Sequence, residues 1–376
     1  MIHFPFDFPM EEPSIWTALY CLVLYLVLLF SNYRTGLSKL YYSYPTEKKE
    51  KLSVVFIGFF CITACLNGDF FHFMEFVHNY VYVGGFHNYG EPVYQAIGYF
   101  VSNNYLLFRT IVWGGSFIAF CLTAERMGVS KYAAVILLFS SYLITFCYGR
   151  VTASMAVYFL GLSYLCSPAR HKWMGYILGC VIIMNANVFH RSALIMMLMT
   201  VMLILPVRKW SVLLVIVAVP LIANILKGYF VDFAFAEETD EFLADKLQRY
   251  SEKERGGGAA RLLINTLTYA SFYVPLALSS ITMFIKHKAE EIDPAIYKMF
   301  KVTFGLAYIA TSFLLFGETF ITFFYRILNM TMIPLVIIVS KLYKDNMMSK
   351  RWFFYCYIPG VLCQIVRMLY MLYLND

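Results

Sequence analysis

Long apolar runs separated by short polar turns repeat from one end of the chain to the other. An α-helix needs about 20 residues to cross a bilayer, and most of these runs approach that length. The pattern therefore predicts about twelve membrane-spanning helices. They are expected at 14–31, 52–67, 105–123, 132–148, 150–166, 173–189, 191–207, 210–227, 262–285, 299–316, 321–342 and 352–373. The predicted fold class is all-α, a polytopic membrane protein with a single integral membrane domain over residues 1–376.

Two connections between the predicted helices are longer than the others, at 68–104 and 228–261. In the first, the apolar stretch at 91–102 is too short to cross a bilayer and predicts a re-entrant or interfacial segment. In the second, an amphipathic loop helix is predicted near 232–255, before the glycines at 256–258. Long loops are often functional, so this one is interpreted either as a solvated helix or as a lid over a cavity.

The composition agrees with a membrane protein. Hydrophobic residues make up 60% of the 376 residues, charged residues 14%, and the mean hydropathy is +0.65, a balance outside the range of soluble domains. Nine cysteines lie inside apolar runs without a CxxC pair, which indicates small buried side chains and predicts neither a metal site nor disulfides. The N-terminal segment has no Lys or Arg before the first apolar run, so 14–31 is expected to stay as an anchor.

Basic residues predict the orientation of the helices. Lys and Arg gather in alternate turns: Arg34, Lys39, Lys48, Lys49 and Lys51; Arg126 and Lys131; Arg170 and Lys172; Arg208 and Lys209; Lys286, Lys288 and Lys298; Lys341, Lys344, Lys350 and Arg351. Such turns face the cytoplasm, so both termini and the loop 68–104 are expected outside. The loop 228–261 is also placed outside, because the rule weakens for long loops of mixed charge. This topology explains the net charge of +7, and no nucleic-acid partner is predicted.

Ionisable residues near the predicted helix ends gather on the outer side. They cost about 2.5 to 3.5 kcal/mol each at mid-membrane on insertion scales, so they often mark a site. The set within or beside spans is Arg109, Arg150, His190, Arg191, Glu318 and Arg326, and the outer loop adds Asp69, His72 and Glu91. For Arg109 and Arg367, snorkelling of the side chain to the interface is an equally good interpretation. Glu318, Thr322, Tyr325 and Asn329 instead form a polar stripe at helical spacing.

These residue types suit a ligand that carries a pyrophosphate and sugars. Guanidinium groups offer paired donors to phosphate oxygens, and a carboxylate or histidine nearby can act as a general base. Aromatic residues of the outer loop, Tyr94 among them, suit stacking on sugar rings, although aromatic belts are also ordinary at membrane interfaces. The catalytic candidates are His190, Asp69, Glu91, Arg150 and Arg326. The substrate-binding candidates are Arg109, Arg191, His72, Glu318, Tyr325 and Tyr94.

Five short motifs resemble one known family. They are "NGDFFHFMEFVHNY" at 67–80, "EPVYQAIGYFVSN" at 91–103, "GRVTASMAVYFLGLSYL" at 149–165, "FHRSAL" at 189–194 and "YRILNMTMIPLVII" at 325–338. In this order they resemble the EpsG-like branch of the Wzy-type oligosaccharide repeat-unit polymerases. The chain departs from the family pattern after Arg150, where Val151, Thr152 and Ala153 stand and the family often has Gln.

The resemblance implies a GT-C-type glycosyltransferase of the bacterial inner (cytoplasmic) membrane, with its active site facing the periplasm or exterior. Such an enzyme joins undecaprenyl-pyrophosphate-linked oligosaccharides into O-antigen, capsule or exopolysaccharide. Its implied partners are a lipid-linked donor, a lipid-linked acceptor and the bilayer, with a chain-length regulator and a flippase besides. No cofactor is implied.

Three other functions compete with polymerisation. An O-antigen ligase-like transferase handles the same pyrophosphate lipid at the same face, and the sequence does not separate it from a polymerase. A transporter or flippase of lipid-linked oligosaccharide needs polar residues through the full bilayer depth, whereas the inner halves of these spans are apolar and no internal repeat occurs. A membrane acyltransferase would need its histidine on the cytoplasmic side, whereas His190 maps outside.

Overall fold

The computed structural model describes residues 91–101, 105–146, 151–167, 172–207, 259–286, 291–313 and 321–374, and within these ranges the chain folds into helices and turns without strands. The helices are α1 (Pro92–Phe100), α2 (Tyr105–Arg126), α3 (Lys131–Phe146), α4 (Val151–Cys166), α5 (Lys172–Phe189), α6 (Ala193–Met199), α7 (Ala259–Ile281), α8 (Pro294–Phe313), α9 (Ile321–Asn329), α10 (Met332–Lys344) and α11 (Lys350–Leu374). A 3₁₀ turn, Thr200–Leu203, follows α6, and a π turn, Thr282–Lys286, follows α7. The all-α prediction is confirmed for these ranges.

The predicted helices at 14–31, 52–67 and 210–227 and the loop helix near 232–255 lie outside the described residues. Helices α2 to α5 and α11 match their predicted ranges to within a few residues at each end. The short segment predicted at 91–102 is the nine-residue helix α1.

Helix α8 begins five residues earlier than the hydrophobic pattern predicts, at Pro294. The side chain of Asp293 accepts a hydrogen bond from the backbone N–H of Ala295 at 2.8 Å, and its carbonyl accepts from the N–H of Tyr297 at 3.0 Å. An acidic cap followed by proline at the first helical position is a strong helix-start signal. Capping, and not hydropathy, therefore sets this boundary.

Three spans predicted as continuous helices are interrupted. Helix α3, within the predicted span 132–148, has a kink at Tyr142 (φ −138°, ψ 21°). The span at 321–342 is divided into α9 and α10 by a turn at Met330 and Thr331, and the span at 191–207 is regular only over Ala193–Met199 before it tightens into the 3₁₀ turn. The end of that turn is held by Lys301 of α8, whose Nζ donates to the carbonyls of Leu203 at 2.8 Å and Leu205 at 2.7 Å. These three predictions of an unbroken helix were wrong, because the interrupting residues are themselves apolar or neutral.

Helices α4 and α5 approach each other closely at two glycines. A Cβ atom added to Gly161 would lie 2.8 Å from the carbonyl oxygen of Gly179, and one added to Gly179 would lie 2.9 Å from the carbonyl oxygen of Gly161. Small residues at such crossings let helix backbones meet, as is common where helices pack within a membrane.

The surface of the bundle is apolar where helices face outward. Trp173, Ile177 and Met184 of α5 are more than half exposed. Inside, the hydroxyls of Ser116 and Thr303 donate to carbonyls four residues earlier in their own helices, so these polar groups do not demand partners elsewhere. An apolar exterior around internally satisfied polar groups is the arrangement that a lipid environment requires.

By length and composition, one helical stretch among the described residues, Leu263–Ile285, is long and apolar enough to cross a membrane. The stretches Val151–Cys166, Trp173–Phe189 and Ala193–Leu203 are apolar but shorter. The predicted number of about twelve spans remains a prediction.

Contacts between turns define one end of the bundle, which we call the basic end. Lys344 Nζ donates to the carbonyl of Gly128 at 2.8 Å, and Arg126 donates to the carbonyl of Ser167 at 2.8 Å. Lys341 forms ion pairs with Asp345 at 2.8 Å and Asp293 at 3.5 Å. Because consecutive helices of α2 to α6 run in alternate directions, the turn between α5 and α6 lies at the opposite end.

We expect Gly161→Ala to destabilise the protein by about 1–3 kcal/mol, because the added methyl group overlaps the backbone of α5. Thermal unfolding of the detergent-solubilised protein measures this effect. Gly115→Ala is the matched control, since a Cβ at that position of α2 meets nothing within 4 Å. Equal thermal stability of the two variants would contradict the close packing of α4 on α5.

Candidate functional site

Two polar side chains from distant parts of the sequence meet at the end of the bundle opposite the basic end. Glu91 precedes α1, His190 follows α5, and 3.8 Å separates Oε1 of the carboxylate from Nε2 of the imidazole. The exposed fraction of the side chain is 12% for Glu91 and 23% for His190. The pair is thus mostly enclosed by protein but keeps an accessible edge.

A buried aromatic contact packs helix α1 against α2 and α5. Tyr94 is fully buried, and its ring centroid lies 5.9 Å from that of Phe108 in α2 and 6.4 Å from that of Phe189 at the end of α5. Phe189 and His190 are adjacent in the chain, so the packing of Tyr94 on Phe189 also brings Glu91 close to His190. The sequence motifs "EPVY" and "FHRSAL" therefore form one structural unit.

The local sequence explains why the Glu91 carboxylate faces away from its own helix. Pro92 occupies the first helical position, where its missing N–H costs nothing. Glu91 has an extended backbone (φ −101°, ψ 127°), and its side chain makes no capping hydrogen bond to α1. The carboxylate is directed instead to the end of α5.

His190 is held by the turn that joins α5 to α6. The backbone N–H of Ser192 donates to Nδ1 at 3.1 Å, and the Ser192 hydroxyl oxygen lies 2.6 Å from the same nitrogen. The carbonyl of His190 accepts from the N–H of Ala193 at 3.0 Å, which begins α6. The imidazole ring therefore has a defined orientation relative to the backbone.

The structure brings together Glu91 and His190 of the residues predicted for the site. Tyr94, predicted to stack on sugar rings, is fully buried beside them and packs on Phe108 and Phe189. Arg191 follows His190 in the same turn and is exposed. Arg109 follows Phe108 in α2, so its backbone lies next to the residue on which Tyr94 packs. Asp69, His72, Arg150 and Glu318 lie outside the described residues.

A second group of polar aromatics, here called the tyrosine cluster, consists of Tyr269 and Tyr273 of α7, Thr311 of α8 and Tyr325 of α9. The ring centroid of Tyr325 lies 5.4 Å from that of Tyr269, which stacks on Tyr273 at 6.1 Å. The hydroxyls of Tyr273 and Thr311 are hydrogen-bonded to each other. Tyr325 is thus packed among tyrosines, and its neighbour Arg326 is exposed.

Tyr269 and Tyr273 are not among the site residues predicted from the sequence. Their spacing of four residues places both on one face of a helix, and this spacing is the signal that could have found them. Snorkelling to the interface was one interpretation of Arg367. In the structure its guanidinium makes a specific contact, since it donates to the Thr268 hydroxyl at 3.1 Å.

The chain matches the model of a known protein family. The model of the EpsG family matches residues 50–375, a range that contains Glu91, His190 and the tyrosine cluster. No curated protein matches the chain, and no solved structure does. Since the family model covers most of the 376 residues, the protein belongs to the EpsG family.

Proposed function

We propose that the protein is a polymerase that joins undecaprenyl-pyrophosphate-linked oligosaccharide repeat units into a surface polysaccharide at the outer face of the inner membrane. Membership of the EpsG family indicates a role in polysaccharide synthesis by a membrane protein. The observation that carries the proposal is the meeting of Glu91 and His190 at the end of the bundle opposite the basic end. Lysine-rich turns face the cytoplasm by the positive-inside rule, so this pair faces outward.

In the proposed reaction the growing chain leaves its lipid carrier and joins the terminal sugar of a new repeat unit. Arg150 and Arg326, with Arg191 and Arg109, hold the donor pyrophosphate and neutralise the charge that develops as the glycosidic C–O bond breaks. The exposed positions of Arg191 and Arg326 are compatible with this role. Undecaprenyl pyrophosphate is released, and no nucleotide sugar is consumed.

The acceptor sugar is proposed to lie beside Glu91 and His190. A carboxylate and an imidazole within 4 Å of each other can remove a proton from a sugar hydroxyl and hold it during transfer. Asp69, His72 and Glu318 complete the proposed polar lining. Tyr325, within the tyrosine cluster, is proposed to support the wall of this cavity, since its ring packs on Tyr269.

The purified protein, supplied only with lipid-linked repeat units, is expected to produce a ladder of products that differ by one repeat unit. Polymerisation needs a donor and an acceptor of the same kind, whereas a ligase needs a separate acceptor. Gel electrophoresis of products from proteoliposomes measures the ladder. Transfer to an unrelated acceptor without a ladder, or lipid translocation without chain growth, would contradict the proposal and favour a ligase or a transporter.

Arg150→Ala and Arg326→Ala are each expected to lower the rate of polymer formation by at least about a hundredfold, because loss of one charge-stabilising donor has effects of this size. The lysine variants should recover part of the loss, since lysine keeps the charge but not the paired donors. Initial rates in proteoliposomes measure both effects. Arg351→Gln, at the exposed start of α11 in the basic end, should retain wild-type activity. Full-length polymer from Arg150→Ala would refute the role given to the arginines.

Reporter fusions test the proposed orientation. Alkaline phosphatase fused after Arg191 is expected to be active, and the same enzyme fused after Ser130 is expected to be inactive, because it folds only outside the cytoplasm. A fluorescent protein that folds only inside should give the reverse result. An active phosphatase after Ser130 would place the basic end outside and remove the Glu91–His190 pair from the outer face.

A further inference from the structure

The two ring nitrogens of His190 are engaged in different ways. Nδ1 lies 3.1 Å from the backbone nitrogen of Ser192, with the N–H directed at the ring, and 2.6 Å from the Ser192 hydroxyl. A peptide N–H can only donate, so Nδ1 must present its lone pair to it. In a neutral imidazole one nitrogen carries the hydrogen when the other accepts, and we therefore assign the hydrogen to Nε2.

The assigned hydrogen faces a carboxylate. Nε2 is the atom of His190 that lies 3.8 Å from Oε1 of Glu91. At 3.8 Å this contact is longer than a direct hydrogen bond, so the N–H dipole and the carboxylate attract each other electrostatically, while the lone pair of the ring is already shared with Ser192. A neutral histidine held in this way orients a neighbouring carboxylate but is poorly arranged to accept a proton itself.

Glu91 has the properties that a proton acceptor requires. Its side chain is 12% exposed, so the carboxylate keeps a route to a ligand while most of it is enclosed. It makes no capping hydrogen bond to α1. A carboxylate offers about four lone-pair sites on its two oxygens, so it can accept from a sugar hydroxyl while it keeps other contacts.

We infer that Glu91 is the base that removes the proton from the acceptor sugar, and that His190, held by Ser192, is a positioning residue that orients Glu91. The inference rests on the proposed polymerase function and deepens it. The acceptor O–H bond breaks and its proton passes to the Glu91 carboxylate, while the acceptor oxygen forms the new bond to the anomeric carbon. The bond between that carbon and the pyrophosphate oxygen breaks, and the pyrophosphate leaves with the electron pair.

A set of substitutions distinguishes the two roles. Glu91→Gln keeps the shape of the side chain but removes the base, so kcat should fall by about 10²- to 10⁴-fold. His190→Gln places an amide donor near the position of Nε2, whereas His190→Asn has polar atoms only near the position of Nδ1. If His190 acts as a donor, the Gln variant should lose about three- to tenfold in kcat, and the Asn and Ala variants about 10- to 100-fold.

The measurement is the initial rate of chain growth in proteoliposomes, with kcat and KM determined separately for the lipid-linked acceptor. Glu125→Gln is the matched control, because Glu125 is an exposed carboxylate that pairs with Lys131 at 2.6 Å in the basic end, and this variant should keep wild-type activity. Binding of the lipid-linked donor to the Glu91 and His190 variants, measured in parallel, shows that they remain folded.

The inference is overturned if His190→Gln is as inactive as His190→Ala while Glu91→Gln keeps much of the wild-type kcat, because that result makes histidine the base. It is also overturned if Glu91→Gln changes only KM. Either result leaves the polymerase function standing as long as the wild-type protein produces the ladder. Absence of a ladder from the wild-type protein would instead refute the proposed function itself.

Discussion

Burial of the Tyr94 side chain against Phe108 and Phe189 fixes helix α1 to the ends of α2 and α5. Removal of a buried aromatic side chain typically costs about 3–5 kcal/mol, and aromatic pairs contribute about 0.5–1.5 kcal/mol beyond the burial of area. A helix of nine residues has little stability of its own, so this contact largely determines where α1 lies. The position of Glu91 relative to His190, and with it the candidate site, depends on the same contact.

The polar side chains at the two ends of the bundle have different kinds of partner. At the basic end, Lys344 and Arg126 donate to backbone carbonyls in turns just past helix ends. The last carbonyls of a helix have no partner within the helix, so these cations satisfy groups that would otherwise be costly to enclose. The residues that indicate topology in the sequence thus also terminate helices. At the opposite end, the polar residues contact one another across helices.

In the proposed reaction, pyrophosphate binding and proton removal belong to different residue types. Guanidinium groups recognise phosphate oxygens through paired donors and stay charged, whereas a base must exchange a proton during each reaction cycle. The turn at His190 shows how one backbone contact changes the role of a side chain. Because the N–H of Ser192 occupies Nδ1, the assigned tautomer places the ring hydrogen on Nε2, 3.8 Å from the Glu91 carboxylate. The same histidine in another turn would be a plausible base.

Much of this protein follows from its sequence alone. The hydrophobic runs predict α2 to α5 and α11, because side chains that face lipid or pack in the bundle must be apolar over most of a helix. Residue types mark Glu91 and His190 as site candidates, whereas α8 starts at Pro294, five residues before the boundary that hydropathy predicts. Hydropathy could not predict the break at Met330 and Thr331, since neither residue changes the average over a window of helical length.

Only the tertiary structure decided which helix ends meet. Glu91 and His190 come together through the packing of Tyr94, and the tyrosine cluster forms where α7, α8 and α9 come into contact. Local periodicity reports which face of a helix is buried but not which neighbour covers it. The tautomer of His190 likewise depends on a hydrogen bond of 3.1 Å set by the backbone of a single turn, a distance that residue identities do not encode.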